Sequence, residues 1–302
     1  MKTKILLALS AAMVLVCSCD KDGTEPNSPA PTPTPQPAKI PIKLSTTISK
    51  VTDSGYESGD MIGIYTVNYV DGKAGTLANS GNHLDNIKFT FDGSNWTPEK
   101  QVYWLDQTTK ADFYCYYPYT GSVANVSGLA FSVKEDQSTT ANYKASELIW
   151  GKTSGAAPSA NPVNILTNHA LSNIIIYVTP GNGYTEETLA AEEISVTITG
   201  VKTSGKLDLA SGKVVADGDA KNIKPLKENG YWRALVIPQD IIGTKIIEVK
   251  VGASTYSLNN TVKFEQNKQH KCTLKIDKIG EGVNISIGGW ENDGSDFGGT
   301  LD

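Results

Sequence analysis

Short runs of β-branched and aromatic residues recur from Ile40 to the C-terminus, and Gly, Asn or Asp separates them about every ten residues. This pattern is typical of antiparallel strands joined by turns. In runs such as Val196-Thr197-Ile198 apolar and polar residues alternate, so one face of the strand is apolar and the other is polar. We therefore predict an all-β chain of antiparallel β-sandwiches. The clearest predicted strands are 60–67, 112–116, 173–178, 194–198, 246–251 and 271–276, and the one stretch expected to be helical is 185–193.

Composition limits the classes of protein that remain. The chain has 302 residues, of which 39% are hydrophobic and 20% are charged, so it can form one large or two ordinary folded domains. Its 27 basic and 32 acidic side chains give a formal net charge of −5. A broad surface that neutralises phosphate groups is therefore not expected, and we predict no nucleic-acid partner.

The N-terminal segment, residues 1–18, has the form of a secretory signal peptide. Two lysines precede the apolar run 5–16, which is too short to span a bilayer stably. Ser18 lies directly before Cys19 and Val16 lies three places before it, an arrangement that resembles the lipobox of bacterial lipoproteins. We predict that Cys19 is lipidated and attaches the protein to a membrane. The alternative is an ordinary signal peptide that is cleaved nearby.

Residues 19–39 are predicted to be a tether. Seven of the 14 prolines fall between Pro26 and Pro41, where few residues could be buried and extended polyproline II is favoured. A second boundary is indicated at 155–162, which is small, polar and interrupted by proline. We therefore predict an N-terminal β-sandwich domain over 40–160 and a C-terminal one over 161–302.

The residues that usually carry chemistry are sparse. His83, His169 and His270 are the only histidines, and their separations match no metal motif. No nucleophile elbow or phosphate-binding loop occurs. We predict no metal, no cofactor and no enzymatic activity, and we interpret His169 as a packing and hydrogen-bonding residue near the domain boundary.

Cysteines and tryptophans are interpreted mainly as core residues. Cys115 and Cys272 each lie in a predicted strand, so we expect buried thiols rather than a disulfide between them. Aromatic side chains at alternate strand positions fill the space between sheets, although exposed ones can stack on sugar rings. The tryptophans in question are Trp96, Trp104, Trp150, Trp232 and Trp290.

Several motifs in a fixed order give the chain a family resemblance. They lie at 58–67, 112–119, 147–151, 169–174, 205–213, 234–239, 264–274 and 285–291. In this order behind a lipobox, they resemble the fimbrillin lipoproteins of anaerobic Gram-negative bacteria. The resemblance implies two tandem transthyretin-like β-sandwich domains behind the lipidated tether. It also implies a non-enzymatic subunit of a type V pilus, exported through the periplasm to the outer membrane and cell surface, with a role in adhesion.

The same resemblance implies that other pilin subunits are the partners and that they join by strand exchange. A segment donated by one subunit would then add to an open sheet edge of the next. The natural donor is 282–288, in which Val283, Ile285 and Ile287 alternate with polar residues. The alternative is that this segment is simply the last strand of the second domain.

Arginine content separates this chain from the resembled family in one respect. Stalk fimbrillins are typically matured by an arginine-directed protease before the first domain's core, yet this chain has no arginine before Arg233. Either a trypsin-like enzyme cuts after Lys39, Lys43 or Lys50, or the protein keeps its lipid and acts as an anchor or accessory subunit. A different reading of the whole chain is a glycan-binding outer-membrane lipoprotein, with surface glycans or proteins as its ligands.

Overall fold

Strands dominate the structure, a computed structural model that describes residues 38–48, 55–279 and, for the backbone, 282–296. In chain order the elements are β1 (Leu44–Ile48), β2 (Met61–Asn68), β3 (Leu84–Phe91), β4 (Trp96–Pro98), β5 (Ala111–Tyr117), β6 (Leu129–Ser132), α1 (Thr140–Lys144), β7 (Ile149–Ala156), β8 (Val163–His169), β9 (Ser172–Pro180), α2 (Glu186–Ala190), β10 (Ile194–Leu207), β11 (Val214–Ile223), β12 (Leu226–Lys227), β13 (Tyr231–Val236), β14 (Gln239–Val251), β15 (Ser254–Phe264), β16 (Lys268–Ile279) and β17 (Gly282–Asp296). The prediction of an all-β chain is confirmed.

Each of the six predicted strands coincides with an observed one, namely β2, β5, β9, β10, β14 and β16. The alternation in β16 has its expected effect, because Cys272, Leu274 and Ile276 are all fully buried while Lys275 is exposed. The predicted helical stretch contains α2, which begins after Thr185. The Thr185 side chain accepts a hydrogen bond from the Thr188 backbone N–H in a capping box.

The first sheet has seven strands in the order β1-β8-β7-β5-β2-β3-β4. All its pairs are antiparallel except β1 with β8, which is parallel. Successive residues of β2 point to opposite faces, so Ile64 packs into one core and Tyr65 into another. The first sheet is therefore covered by apolar side chains on both faces.

The remaining strands form two five-stranded sheets. The second sheet has the order β11-β10-β14-β15, with β6 pairing to β10 beside β14, and the third has the order β12-β13-β9-β16-β17. One continuous core joins side chains of all three sheets, including Tyr114 of the first, Val249 of the second and Ile174 of the third. The described residues from Lys39 onward accordingly belong to one compact unit.

The change from the first sheet to the third occurs at Ala170 and Leu171, both fully buried between β8 and β9. β8 lies after residue 160 but pairs with β1 and β7 of the first sheet. The division into domains at residues 160 and 161, and the tandem arrangement as such, stay predictions.

Trp150 of β7 joins the first sheet to the turn between β10 and β11. Its indole N–H donates a hydrogen bond to the carbonyl oxygen of Leu209 at 2.9 Å. Gly212 in the same turn has φ +76°, and a Cβ placed there would lie 2.3 Å from the Trp150 ring. Glycine is therefore required at this position both for the backbone conformation and for the close approach.

Candidate functional site

The first strand, β1, forms one edge of the seven-stranded sheet and pairs only through its five residues with β8. Its alternation directs Leu44 inward, where this side chain is 5% exposed, and directs Thr47 outward. Leu44 packs into a core that also contains Ile62, Phe113 and Ile165. A short edge strand thus closes one side of the first core.

Side-chain hydrogen bonds hold β1 on both sides. The buried indole of Trp96 donates from Nε1 to the Thr46 hydroxyl at 2.9 Å. On the outer face, Ser45 and Thr47 both donate to Asn164 Oδ1, at 3.3 and 3.2 Å. Trp96 belongs to β4, the opposite edge of the same sheet, so the two edges of the sheet approach each other at Thr46.

A cavity of about 370 Å³ lies between these two edges. Leu44, Ser45, Thr46 and Ile48 line it from β1, and Phe91 of β3 and Trp96 of β4 line it from the other side. The side of β1 that faces away from β8 is thus apolar and incompletely filled. This arrangement is a groove in which β1 is seated by one ladder of backbone bonds and a few side chains.

The segment before β1 is also tied to the protein. Ile42 donates its backbone N–H to the Val102 carbonyl oxygen at 3.0 Å, and the Lys43 carbonyl oxygen accepts from the Val163 N–H at 2.9 Å. Lys39 is exposed, and its ammonium group lies 5.7 Å from the centre of the Tyr103 ring. Of the three candidate processing sites, Lys39 and Lys43 are described and Lys50 lies outside the described residues, as does the candidate lipidation site Cys19.

The C-terminal segment is the last strand of the third sheet. β17 pairs antiparallel with β16, and the backbones of Val283, Ile285 and Ile287 lie opposite Lys278, Ile276 and Leu274. The side chains of these candidate donor residues lie outside the described part of the structure. The segment is already extended and carries the alternating residues that strand donation requires.

The two cysteines of the folded part are buried with free thiols. Burial raises the pKa of the Cys115 thiol well above its ordinary value and that of Cys272 to about 12. These thiols are therefore unsuited to act as nucleophiles near neutral pH.

His169 is 7% exposed, and its Nδ1 lies 3.1 Å from a carboxylate oxygen of Glu147. Within the described ranges, no group of three or more His, Cys, Asp or Glu side chains is arranged to hold a metal ion. No helix in the same ranges is long and apolar enough to cross a membrane.

Tryptophans in the described part do not form an exposed platform. Trp96, Trp104 and Trp232 are buried, and Trp150 is half-buried against the β10–β11 turn. The core interpretation is therefore confirmed for these four residues, while the side chain of Trp290 lies outside the described residues. Tyr103, which lies beside Lys39, is 38% exposed.

Comparison with known families identifies the chain. The model of the fimbrillin-like family matches residues 49–290, which is most of the sequence. The chain belongs to the fimbrillin-like family. No match was found among curated protein sequences.

Solved structures share the fimbrillin fold with this chain. A candidate cell adhesion protein from Bacteroides uniformis is 20% identical, with a TM-score of 0.63, and the match covers 85% of this chain and 99% of that one. A second, from Bacteroides ovatus, is 18% identical, with a TM-score of 0.67 and coverage of 86% and 99%. A fimbrial protein from Bacteroides ovatus, also 18% identical, has a TM-score of 0.50 and coverage of 78% and 49%.

The sequence of this fimbrillin-like chain did not indicate that β1 pairs with β8 and lies in the groove beside Trp96. The 40–48 stretch alternates apolar and polar residues, but its partner β8 lies more than one hundred residues later, and nothing local indicates that pairing. The contact between Trp96 and Thr46 is hidden in the same way. The sequence predicts Trp96 as a core residue, which is confirmed, but does not indicate that it lines the groove.

Proposed function

We propose that the protein is a non-enzymatic, surface-exposed lipoprotein that serves as a subunit of a type V pilus with a role in adhesion, and that β1 is the strand exchanged between subunits. Membership of the fimbrillin-like family supports the pilus role. One observation carries the assignment of β1: it is a five-residue edge strand seated beside an apolar cavity.

Loss of β1 would expose two things at once. The free edge of β8 would present unpaired backbone groups, and the core around Ile165 would lose its cover from Leu44. An extended segment of a neighbouring subunit can satisfy both needs by β-augmentation. Exchange is therefore favoured once β1 has left the groove.

The candidate donor has a matching pattern. Leu44, Thr46 and Ile48 are alternate positions of β1 that line the cavity, together with Ser45 between them. Val283, Ile285 and Ile287 are three alternate apolar residues in the C-terminal strand. We propose that these three side chains occupy the inward positions of the groove in the next subunit.

The three candidate processing sites, after Lys39, Lys43 and Lys50, differ in whether cleavage releases β1. A cut after Lys39 leaves β1 attached to the domain, and a cut after Lys43 requires opening of the ladder in which its carbonyl oxygen is bonded. A cut after Lys50 separates β1 from all that follows. We therefore favour Lys50 for a polymerising subunit, and we propose that a chain left uncut keeps the lipid on Cys19 and serves as the anchor in the outer membrane.

A disulfide that locks β1 in place tests the assignment. Thr47 and Leu166 are exposed register partners on adjacent strands, a separation that a disulfide can bridge. Cells making Thr47→Cys/Leu166→Cys should lack fibres in electron micrographs under oxidising conditions and regain them after mild reduction. The matched control is Ser132→Cys/Ser204→Cys, which links β6 to β10 through two facing hydroxyls 2.9 Å apart and should leave fibres intact.

Two outcomes separate the parts of this proposal. Fibres formed by a chain whose Thr47–Leu166 disulfide is confirmed by mass spectrometry would eliminate β1 as the exchanged strand. Unchanged fibres in cells lacking the gene would eliminate the pilus role itself. N-terminal sequencing of protein sheared from cells then identifies the role: a free terminus just after Lys50 indicates a stalk or tip subunit, and a blocked one indicates an anchor.

A further inference from the structure

A second cavity, of about 430 Å³, lies between the first sheet, α1 and β13. Three tyrosines contribute to its walls: Tyr56 before β2, Tyr117 at the end of β5 and Tyr143 in α1. This volume is within the range of small-ligand sites, which are commonly concave, largely apolar and furnished with a few fixed polar groups.

The tyrosine rings are held in place by contacts of their own. Tyr56 packs edge-on against Tyr117, with ring centres 5.8 Å apart, and edge-on against Trp96 at 4.9 Å. The Tyr143 hydroxyl donates to Asn173 Oδ1 at 3.4 Å. Because these rings need little reordering, a ligand would meet preformed aromatic walls.

Three carboxylates, of Asp60, Glu57 and Glu147, line the same cavity. Asp60 accepts hydrogen bonds from the Tyr117 hydroxyl at 3.2 Å and from the Glu57 backbone N–H at 2.7 Å. Glu147 accepts from the Leu148 N–H at 3.0 Å. Burial is the main cause that raises the pKa of the Tyr117 hydroxyl, and the nearby carboxylates of Asp60, Glu147 and Glu57 raise it further. All three carboxylates therefore act on one region of the cavity.

The lysine and the arginine that line the cavity, Lys144 and Arg233, already have anionic partners. Lys144 pairs with Glu57 at the exposed rim. Arg233 pairs with Glu228 at 2.8 Å, and its guanidinium lies 4.4 Å from the centre of the Tyr143 ring. His169 also lines the cavity, and its Nδ1 lies 3.1 Å from a carboxylate oxygen of Glu147. Among the described residues, Asp60 is therefore the cavity carboxylate that has no lysine, arginine or histidine opposite it.

We propose that this cavity binds a primary ammonium group carried on an alkyl stem, the chemistry of a lysine side chain. Aromatic faces attract a cation and pack against its apolar stem. The carboxylate of Asp60 supplies the opposite charge in a partly desolvated site, where charge pairing is stronger than in water. An anionic ligand would meet unfavourable potential there. Ile48 of β1 also lines this cavity, so the site belongs to a subunit in which β1 is seated, although none of the residues that hold β1 on β8 supplies the charge.

Binding of small probes to the purified full chain in detergent micelles tests the proposal. Nα-acetyl-lysine methylamide should bind at least about ten times more tightly than the norleucine analogue, which has a similar stem and no charge, since ten-fold corresponds to one modest charge interaction. Equal affinity for the two probes would overturn the proposal. So would preferential binding of Nα-acetyl-glutamate methylamide.

Cadaverine distinguishes the two sources of such a group. Tighter binding of the blocked lysine than of cadaverine supports a lysine side chain of a protein partner, whereas tighter binding of cadaverine supports a free alkylamine. The affinity should also fall as sodium chloride is raised from 50 to 500 mM, an expected consequence of screening over about 10 Å at 0.1 M salt. Affinity that is insensitive to salt would overturn the charge-based mechanism.

The variant Asp60→Asn removes one charge. Its amide oxygen can still accept from the Glu57 N–H, and its NH2 group can donate to the Tyr117 hydroxyl oxygen in place of the second carboxylate oxygen. We expect about ten-fold weaker binding of the lysine probe and unchanged binding of the norleucine probe. Asp219→Asn, at an exposed position on β11, is the matched control and should bind like the wild type. The unfolding midpoint of Asp60→Asn shows whether the variant is folded. If it is folded and still binds the lysine probe with wild-type affinity, the proposal is contradicted. If it does not fold, the comparison of the lysine and norleucine probes on the wild type tests the proposal.

Discussion

Replacement of Thr46 by valine should loosen β1 without changing the shape of its side chain. The substitution removes the hydroxyl that accepts the hydrogen bond from Trp96 Nε1 at 2.9 Å. Trp96 is 6% exposed, so its N–H would remain buried without that partner. Leaving a buried donor unsatisfied costs about 1–3 kcal/mol. Because Trp96 stays in β4 when β1 leaves, the penalty falls on the state in which β1 is seated.

This penalty sets the size of the expected effect. A change of about 1–3 kcal/mol shifts an equilibrium by about 5- to 150-fold. The population with β1 displaced should rise by that factor, and amide hydrogens within Leu44–Ile48 should exchange correspondingly faster. Hydrogen exchange read by mass spectrometry on peptides covering β1 and β8 measures this directly. Amides of β16, in the third sheet, should exchange at the wild-type rate.

Thr47→Val is the matched control for this prediction. Its hydroxyl donates to Asn164 on the exposed outer face at 3.2 Å, where water can replace the bond. We expect a change within about 0.5 kcal/mol. If Thr46→Val and Thr47→Val exchanged equally fast, the indole contact would not be what holds β1. Faster exchange throughout the protein would instead indicate general destabilisation and would refute the local argument.

Three further predictions concern the cores. Gly212→Ala should lower the free energy of unfolding by about 1–2 kcal/mol because its backbone is left-handed, and by about 1–3 kcal/mol more because the methyl group overpacks against Trp150. The control is Gly72→Ala, at φ +74° with no atom within 4 Å of the added Cβ. Denaturant unfolding of this control should show only the first loss. Cys115 and Cys272 should resist alkylation at pH 8 in the native protein and react after unfolding, as seen by peptide mass mapping. Burial raises the pKa of Cys272 from 9.0 to about 12, so the stability it contributes is full below pH 9 and is lost as the pH rises toward 12.

The sequence predicted the interiors of the strands better than their lengths. Val196 and Ile198 mark β10 through simple alternation, but β10 continues to Leu207 past Gly200, which has φ +69°. An irregularity in the pairing with β11 accommodates that glycine, and local pattern does not anticipate it. α1 was missed because a five-residue helix capped by Thr139 carries almost no periodic signal.

The sequence did not predict which distant segments come together. The cavity near Tyr117 combines residues from before β2 to β13, and its negative charge depends on which carboxylates find cationic partners. His169 was expected to serve in packing and hydrogen bonding. It is buried beside Glu147, a partner that its sequence neighbours do not indicate.

The parallel pairing of β1 with β8 indicates when β1 joins the sheet during folding. β1 is synthesised before the other described strands, yet its backbone partners begin at Val163 and end at Thr167. The antiparallel hairpin of β2 and β3 joins neighbours along the chain and can form early. β1 must wait until the rest of its sheet has emerged, and it therefore closes the first core as one of the last events of folding. A strand that is added last can also be replaced without dismantling what was built before it.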